Sequence, residues 1–361
     1  MKQVLGLGLL VLGLLAGCSS AGENDNGKQI EDQEASLPAG SEPEIVADEL
    51  DIPWSIAKAG ETFYMTERQG SIVKVEDGKK ERQKVELAKK LSTASEAGLL
   101  GFVLAPDFSQ SNEAYAYYTY ENTSGQFNRI VIFKLQDGTW KEDKLLLDKI
   151  PSGQYHHGGR LEIGPDGKLY ATAGDAATDP EIAQDVNSLG GKILRMNPDG
   201  SVPADNPFSG SYVYSYGHRN PQGLAWAEDG TLYESEHGPS ANDEINKILP
   251  GKNYGWPVIK GNEKKEGMES PLFTSGDDET WAPSGMAYYK GKLYTAALRG
   301  NAVLEFDLET KNVRKVVSNL GRIRDVFIEG DVLYFISNNT DGRGNPLEKD
   351  DKLYKIQLSD I

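Results

Sequence analysis

Cysteine occurs once in the 361 residues, at Cys18, so no intrachain disulfide can form. Histidine is nearly as scarce. The four are His156, His157, His218 and His237, and their spacing, with no cysteine beside them, matches no zinc site. Positive charge is in deficit: a formal net charge of -17 and a pI near 4.8 exclude nucleic acid as a partner, because that affinity rests on clustered Lys and Arg. The only glycine-rich apolar run lies near the N-terminus, which leaves no dinucleotide-binding turn. Helical periodicity is thin, with Lys89–Ser95 and Glu181–Val186 the best stretches, so an α/β fold is disfavoured.

What is present begins with Lys2 and the apolar stretch Val4–Ala16, shorter than a bilayer-spanning helix needs and typical of a signal peptide. Its end, Leu15-Ala16-Gly17-Cys18-Ser19, resembles the lipobox of bacterial lipoproteins, which implies a lipidated Cys18 and an extracytoplasmic protein anchored to the cell membrane. Residues from Ser19 to about Pro43 are almost all small or polar and bury too little to offset ordering entropy. The expected organisation is a signal peptide over 1–17, a disordered tether over 18–43, and one globular body over 44–361.

Within that body one phrase recurs six times: a short apolar run, a Gly-containing turn, a strand ending near Leu-Tyr, and a polar cluster. The copies are Ile52–Glu67, Gly98–Tyr120, Gly159–Asp175, Gln222–Gly238, Ser284–Gly300 and Ile323–Asn339. Leu161-Glu-Ile-Gly-Pro-Asp-Gly-Lys-Leu-Tyr170 shows the chemistry, with alternating apolar residues on either side of Pro-Asp-Gly, the signature of a β-hairpin. The corresponding tyrosines, at 64, 117, 170, 233, 294 and 334, lie 40 to 63 residues apart, and further strand candidates fall between them at Arg129–Leu135, Lys192–Met196, Val303–Asp307 and Lys352–Ile356. About four short strands per unit make the blade of a propeller, so the expected fold is all-β, a six-bladed β-propeller of four-stranded antiparallel blades.

Equivalent strand ends in such a fold converge on one face. The ends here carry His156-His157-Gly158-Gly159, His218-Arg219-Asn220, Glu236-His237-Gly238-Pro239, Arg68, Arg299, and Arg322 with Arg324. In an acidic protein, five arginines on one face call for an anionic ligand with several carboxylates or phosphates, although any one of them could instead pair with a carboxylate between blades. Gly238–Glu244 offers carbonyls and two carboxylates, the hard oxygens that Ca²⁺ prefers, or else is an ordinary acidic loop.

These residues bring a family into view. His156–Tyr170, Tyr216-Gly-His-Arg-Asn-Pro-Gln-Gly-Leu224, Glu236-His-Gly-Pro239, Asn253-Tyr-Gly-Trp-Pro257 and Arg322-Ile-Arg-Asp325 resemble the PQQ-dependent glucose/sorbosone dehydrogenases, soluble quinoprotein aldose dehydrogenases, from about Ile45 to Leu358. The resemblance implies Ca²⁺-dependent oxidation of an aldose at C1 to the lactone, with PQQ, a planar tricarboxylate quinone, taking the hydride. It implies His156 as general base, Arg219 beside the quinone carbonyl, and Asn220, Thr280, Arg299, Arg322 and Arg324 as PQQ contacts. Glu96 falls on the substrate side, Gly238 and Pro239 would give carbonyls to Ca²⁺, and Asp243, Glu244 and Tyr254 would serve additional calcium. Implied partners are the sugar, an unidentified electron acceptor and the membrane. The motifs depart from the family where Tyr155 stands for an Asp and Arg299 for a Lys. A non-catalytic propeller that binds a glycan or another envelope ligand is the alternative, and a metal-dependent lactonase ranks below it.

Overall fold

The structure, a computed structural model, describes residues 42–361. The signal peptide over 1–17, Cys18 and most of the tether lie outside the described residues. Of the two compact units, Met1–Ile30 falls among those, and Glu31–Ile361 carries everything that follows.

The described residues are nearly all β, with 24 strands, one short α-helix at Phe108–Ser111 and two short 3-10 turns. Each copy of the recurring phrase is a pair of adjacent antiparallel strands. The first strands of these pairs are Pro53–Ala59, Leu99–Leu104, Leu161–Ile163, Pro221–Trp226, Pro283–Tyr289 and Ile323–Glu329. The local chemistry closes them as the residue types require. Gly164 N–H donates to Lys168 O at 2.9 Å across the Pro165-Asp166-Gly167 turn, and Asp166 Oδ1 accepts the Lys168 N–H at 3.1 Å.

Four sheets have four strands each, all antiparallel. The fifth has eight, because Lys79–Glu86 pairs in parallel with Thr139–Pro151 and joins two antiparallel quartets edge to edge. Glu44–Ala47, the first described strand, pairs with Leu353–Gln357 near the C-terminus, so the two ends of the body share one sheet.

The first strands pack in sequence: Pro53–Ala59 on Leu99–Leu104, that on Leu161–Ile163, Pro221–Trp226 on Pro283–Tyr289, that on Ile323–Glu329, and the last back on Pro53–Ala59. The remaining step is made by Leu169–Ala173 on Pro221–Trp226. The result is a closed ring, the arrangement of a β-propeller, in which neighbouring backbones come very close. Gly223 illustrates the need, since a Cβ there would collide with the carbonyl oxygen of Ser284 and the hydroxyl of Ser235.

Repeat tyrosines pack against aromatics of neighbouring strand quartets. Tyr64 meets Trp140 edge-on at 5.8 Å and Tyr170 meets Trp226 at 5.1 Å, contacts of about 0.5–1.5 kcal/mol each beyond their burial. Tyr117 is fully buried and donates its hydroxyl to His157 O at 2.9 Å, so a core residue of one sheet pins the candidate catalytic segment. The expected helical stretches differ from this. Lys89–Ser95 is extended and turned, bridged at Leu91 to Tyr120, because Leu91 packs beside an aromatic cluster and Ser92 N–H goes to Thr119 O. Glu181–Val186 holds only the end of a 3-10 turn, Pro180–Ala183.

Candidate active site

His156 enters the first strand of the third pair, and its backbone sits in the left-handed region at φ 62°. Its Nδ1 lies 2.7 Å from Asp175 Oδ1, at the far end of the same hairpin. A carboxylate accepts, so Nδ1 carries the proton and Nε2 presents its lone pair. Asp175 is itself held by Ala177 N–H on Oδ1 and Trp256 Nε1–H on Oδ2, both at 2.8 Å. Burial alone would raise its pKa. The His156 contact and these two hydrogen bonds outweigh that and hold the carboxyl below its ordinary value. The pair is therefore an oriented base with its second nitrogen free for substrate.

Gly158 and Gly159 follow because nothing larger fits. At Gly158, with φ 63°, a Cβ would lie 2.5 Å from Thr172 O. The Gly158 N–H donates to Asn220 Oδ1 at 3.1 Å, which ties the base-bearing segment to the Arg219 segment.

Beside this segment lies an open cavity of ≈ 330 Å³ lined by Trp54, Arg68, His157, His237 and Arg324, with Glu96 and Arg343 among its walls. Of its lining, the buried Nε atoms of Arg68 and Arg324 and Nε2 of His157 and of His237 have no hydrogen-bond partner, and outside it the same is true of the buried Nε atoms of Arg219 and Arg322. Among the described residues, only Arg322 of these four arginines pairs with a carboxylate, Asp341 at 3.0 Å. Arg324 has only neutral partners, Gln222 Oε1, Ser284 Oγ and Asn338 Oδ1. Burial first, then the adjacent Arg322 and Arg68, push its pKa down to about 9. Burial likewise takes His157 and His237 down to about 4, so both are neutral at pH 7. A buried cation without an anion is costly, and several together define a site for one.

A second cavity of ≈ 250 Å³ adjoins, lined by Arg219, Gly238, Pro239, Glu244, Tyr254 and Trp256. Arg219 stacks on Trp256 at 5.3 Å, and its Nη1 donates to the carbonyls of His237 at 3.0 Å and Gly238 at 2.6 Å. The expected calcium ligands separate here. Asp243 accepts Gly238 N–H on Oδ1 and Thr280 Oγ1, Trp281 N–H and Ala282 N–H on Oδ2, so it acts as a brace for the loop. Tyr254 directs its hydroxyl to Lys247 O and Leu249 N–H while its ring stacks on His218 at 4.8 Å. Glu244 belongs instead to a buried nest with Glu234 and Glu236. The Asn246 amide nitrogen lies 3.2–3.3 Å from all three carboxylates, and Glu234 Oε1 and Asn246 Oδ1 have no partner. Burial, then the charge of Glu236, raises Glu244 to about 8 and Glu234 well above the ordinary range.

Of the other expected PQQ contacts, Arg299 is exposed and lies outside both cavity linings, and Thr280 Oγ1 donates to Asp243 Oδ2. Asp175, Trp256, Gln222, His237 and Arg343 take part without having been assigned a role from the sequence. Asp175 and His237 carried a signal as polar residues at the ends of repeat strands, and Gln222 and Trp256 lie inside the motifs Tyr216–Leu224 and Asn253–Pro257; Arg343 carried none.

A family model described as Glucose / Sorbosone dehydrogenase matches residues 50–349. The chain is 33% identical over 349 residues to the aldose sugar dehydrogenase YliI of Escherichia coli, covering 85% of this chain and 92% of that one. It is 40% identical over 199 residues to quinoprotein glucose dehydrogenase B of Acinetobacter calcoaceticus, a match spanning 47% of this chain and less than half, 42%, of that protein. Among solved structures, the PQQ-bound form of an aldose sugar dehydrogenase from Streptomyces coelicolor superposes with a TM-score of 0.81 at 36% identity, covering 89% of this chain and 99% of that chain.

Proposed function

The chain belongs to the glucose/sorbosone dehydrogenase family, and on that footing we propose that it is a PQQ-dependent oxidoreductase that converts an aldose at C1 to the lactone. With the eight-stranded sheet taken as two quartets, its fold is read as a six-bladed propeller. The observation that carries the function is the set of buried guanidinium groups short of anions, at Arg68, Arg219 and Arg324, beside the His156–Asp175 pair. The unpartnered donors fit a flat tricarboxylate. Arg68, Arg322 and Arg324 would hold its carboxylates, and Arg219 a carbonyl oxygen.

Bound there, PQQ supplies the two-electron acceptor for the hydride leaving C1. The protein does the rest. His156 Nε2 takes the proton of the C1 hydroxyl, Asp175 stabilises the imidazolium that results, and the C1–O bond becomes the lactone carbonyl. Arg219, fixed by Trp256 and two backbone carbonyls, keeps positive charge where negative charge develops.

Calcium is part of the proposal. His218, Glu234 and Glu236 bring one ligand atom each within 4.8 Å of one another, Glu234 Oε1 has no hydrogen-bond partner, and the carboxyl oxygens of the nest suit a hard divalent cation, whose charge would favour their ionised forms. Gly238 O already accepts Arg219 Nη1 at 2.6 Å, so an ion held by the Gly238 and Pro239 carbonyls would share the first of them with that guanidinium or displace it. From the motif around Cys18 we further propose a lipid-anchored, extracytoplasmic location and an electron acceptor reached from that side.

The test is titration of the protein with PQQ, with and without Ca²⁺, followed through the quinone absorbance, then dye reduction with D-glucose, D-galactose, D-xylose and maltose. A calcium-dependent spectrum and turnover are expected. Absence of both overturns the reading. Arg324→Met carries a second expectation of opposite signs: PQQ affinity falls about 10–100-fold as a charged hydrogen bond is lost, while the apo protein keeps or gains thermal stability, because a buried unpaired charge is removed. Unchanged affinity would show that Arg324 faces something else.

A further inference from the structure

Arg343 has no step in the chemistry above, yet it touches Glu96, which holds the His156 backbone, and Tyr155, which precedes His156. Its Nη1 donates to Glu96 Oε1 at 2.8 Å and its Nη2 to Ser95 Oγ at 2.9 Å, across 247 residues of chain. The other oxygen of that carboxylate, Glu96 Oε2, accepts the backbone N–H of His156 at 3.1 Å. The guanidinium also lies 5.9 Å over the ring of Tyr155, the residue before His156. The loop bearing Arg343 is itself anchored. Asp341 Oδ1 takes the Arg343 N–H at 2.9 Å, and Asp341 Oδ2 takes Arg322 Nη2 at 3.0 Å.

His156 needs such a hold. A side-chain-bearing residue at φ 62° sits in a sparsely populated conformation that the surroundings must enforce. Its carbonyl receives Ala176 N–H at 3.3 Å, and its N–H goes to Glu96. We propose that Arg343 is a positioning residue of this active site, which clamps Glu96 and through it the backbone of His156, so that the imidazole meets the substrate hydroxyl at the right angle. Burial opposes ionisation of Glu96, but Arg343 and the His156 N–H prevail and hold it at about 2, so the clamp stays charged over any working pH. The pair is partly exposed, with side chains 40% and 22% accessible. Ion pairs so placed add little to stability, so a merely structural role forecasts almost no effect from breaking it.

The inference rests on the proposed base, and the experiment separates the two. Arg343→Ala, Arg343→Lys, Glu96→Gln and the double variant are compared with wild type for turnover of the same four sugars, for PQQ affinity, and for amide hydrogen exchange at His156 in the apo protein. Arg343→Ala should lower kcat about 10–100-fold, as small misplacements of catalytic groups do, with a much smaller change in PQQ affinity and with His156 exchange accelerated. Arg343→Lys should recover part, because a point charge reaches Glu96 without also holding Ser95. The double variant should be no slower than Glu96→Gln alone, since both act through one contact. Wild-type exchange and turnover in Arg343→Ala, additive losses in the double variant, or a loss of PQQ affinity large enough to account for the fall in turnover would each overturn the inference. Failure of wild type to bind PQQ would instead bring down the proposed function, leaving the exchange measurement to decide the clamp.

Discussion

Replacing His156 with Ala is expected to cut turnover by about 10²–10⁴-fold, the usual worth of a positioned general base, while the quinone spectrum still forms. The backbone supports the separation. The His156 N–H and carbonyl contacts to Glu96 and Ala176 survive the change, and Asp175 keeps Ala177 N–H and Trp256 Nε1–H, so no buried carboxylate is orphaned. None of the unpartnered donors of the arginine cavity belongs to His156. Asp175→Asn is the companion variant. An amide can present its NH₂ to Nδ1, which stabilises the tautomer with the proton on Nε2, the wrong nitrogen for accepting one. Its loss should therefore fall in the same range although no bulk is removed. Dye reduction and a PQQ titration on each variant measure the two properties. Turnover within threefold of wild type in His156→Ala would place the base elsewhere, with His237 the next neutral imidazole on the cavity wall.

The six hairpins are legible in the sequence because their signal is local: two-residue alternation and Pro-Asp-Gly or Lys-Gly turns act over ten residues. The His156 and Arg219 segments are legible for a related reason, since both flank the first strand of a repeat. Partnerships are not. Which donors Asp243 meets depends on where Thr280, Trp281 and Ala282 fold back, almost forty residues on. The same holds for the Arg343–Glu96 contact, which joins opposite ends of the body, and for Arg299, whose exposure is set by how the strand end turns. Lys89–Ser95 has the spacing of a helix, but tertiary pairing with Thr119 and Tyr120 overrides it.

Asp325→Ala should destabilise the protein by about 3–5 kcal/mol, the cost of leaving a buried charge without its partner. Asp325 Oδ2 accepts Arg160 Nη1 and the Ile56 N–H, both at 2.9 Å, and Gly285 carries no Cβ that would displace it. Arg160 Nε continues to Gln222 O at 2.9 Å while its guanidinium lies 4.5 Å over Trp54. One buried pair thus ties the first strands of five of the six hairpins or the residues leading into them, and Gln222 at its end also accepts Arg324 of the arginine cavity. Burial raises the Asp325 pKa above its ordinary value, against the pull of Arg160 and the Ile56 N–H. The sign follows: a carboxyl that binds its proton more tightly folded than unfolded loses stability as pH rises from the ordinary Asp value through the raised one. The wild-type pair is therefore a net cost in that window, yet breaking it costs more. Chemical denaturation of Asp325→Ala, Arg160→Met and the double variant Arg160→Met/Asp325→Leu should show both singles well below wild type and the double recovering much of the loss, with the pH slope gone. If the double variant falls by the sum of the singles, the ring is held by the shapes of these side chains rather than by their charges.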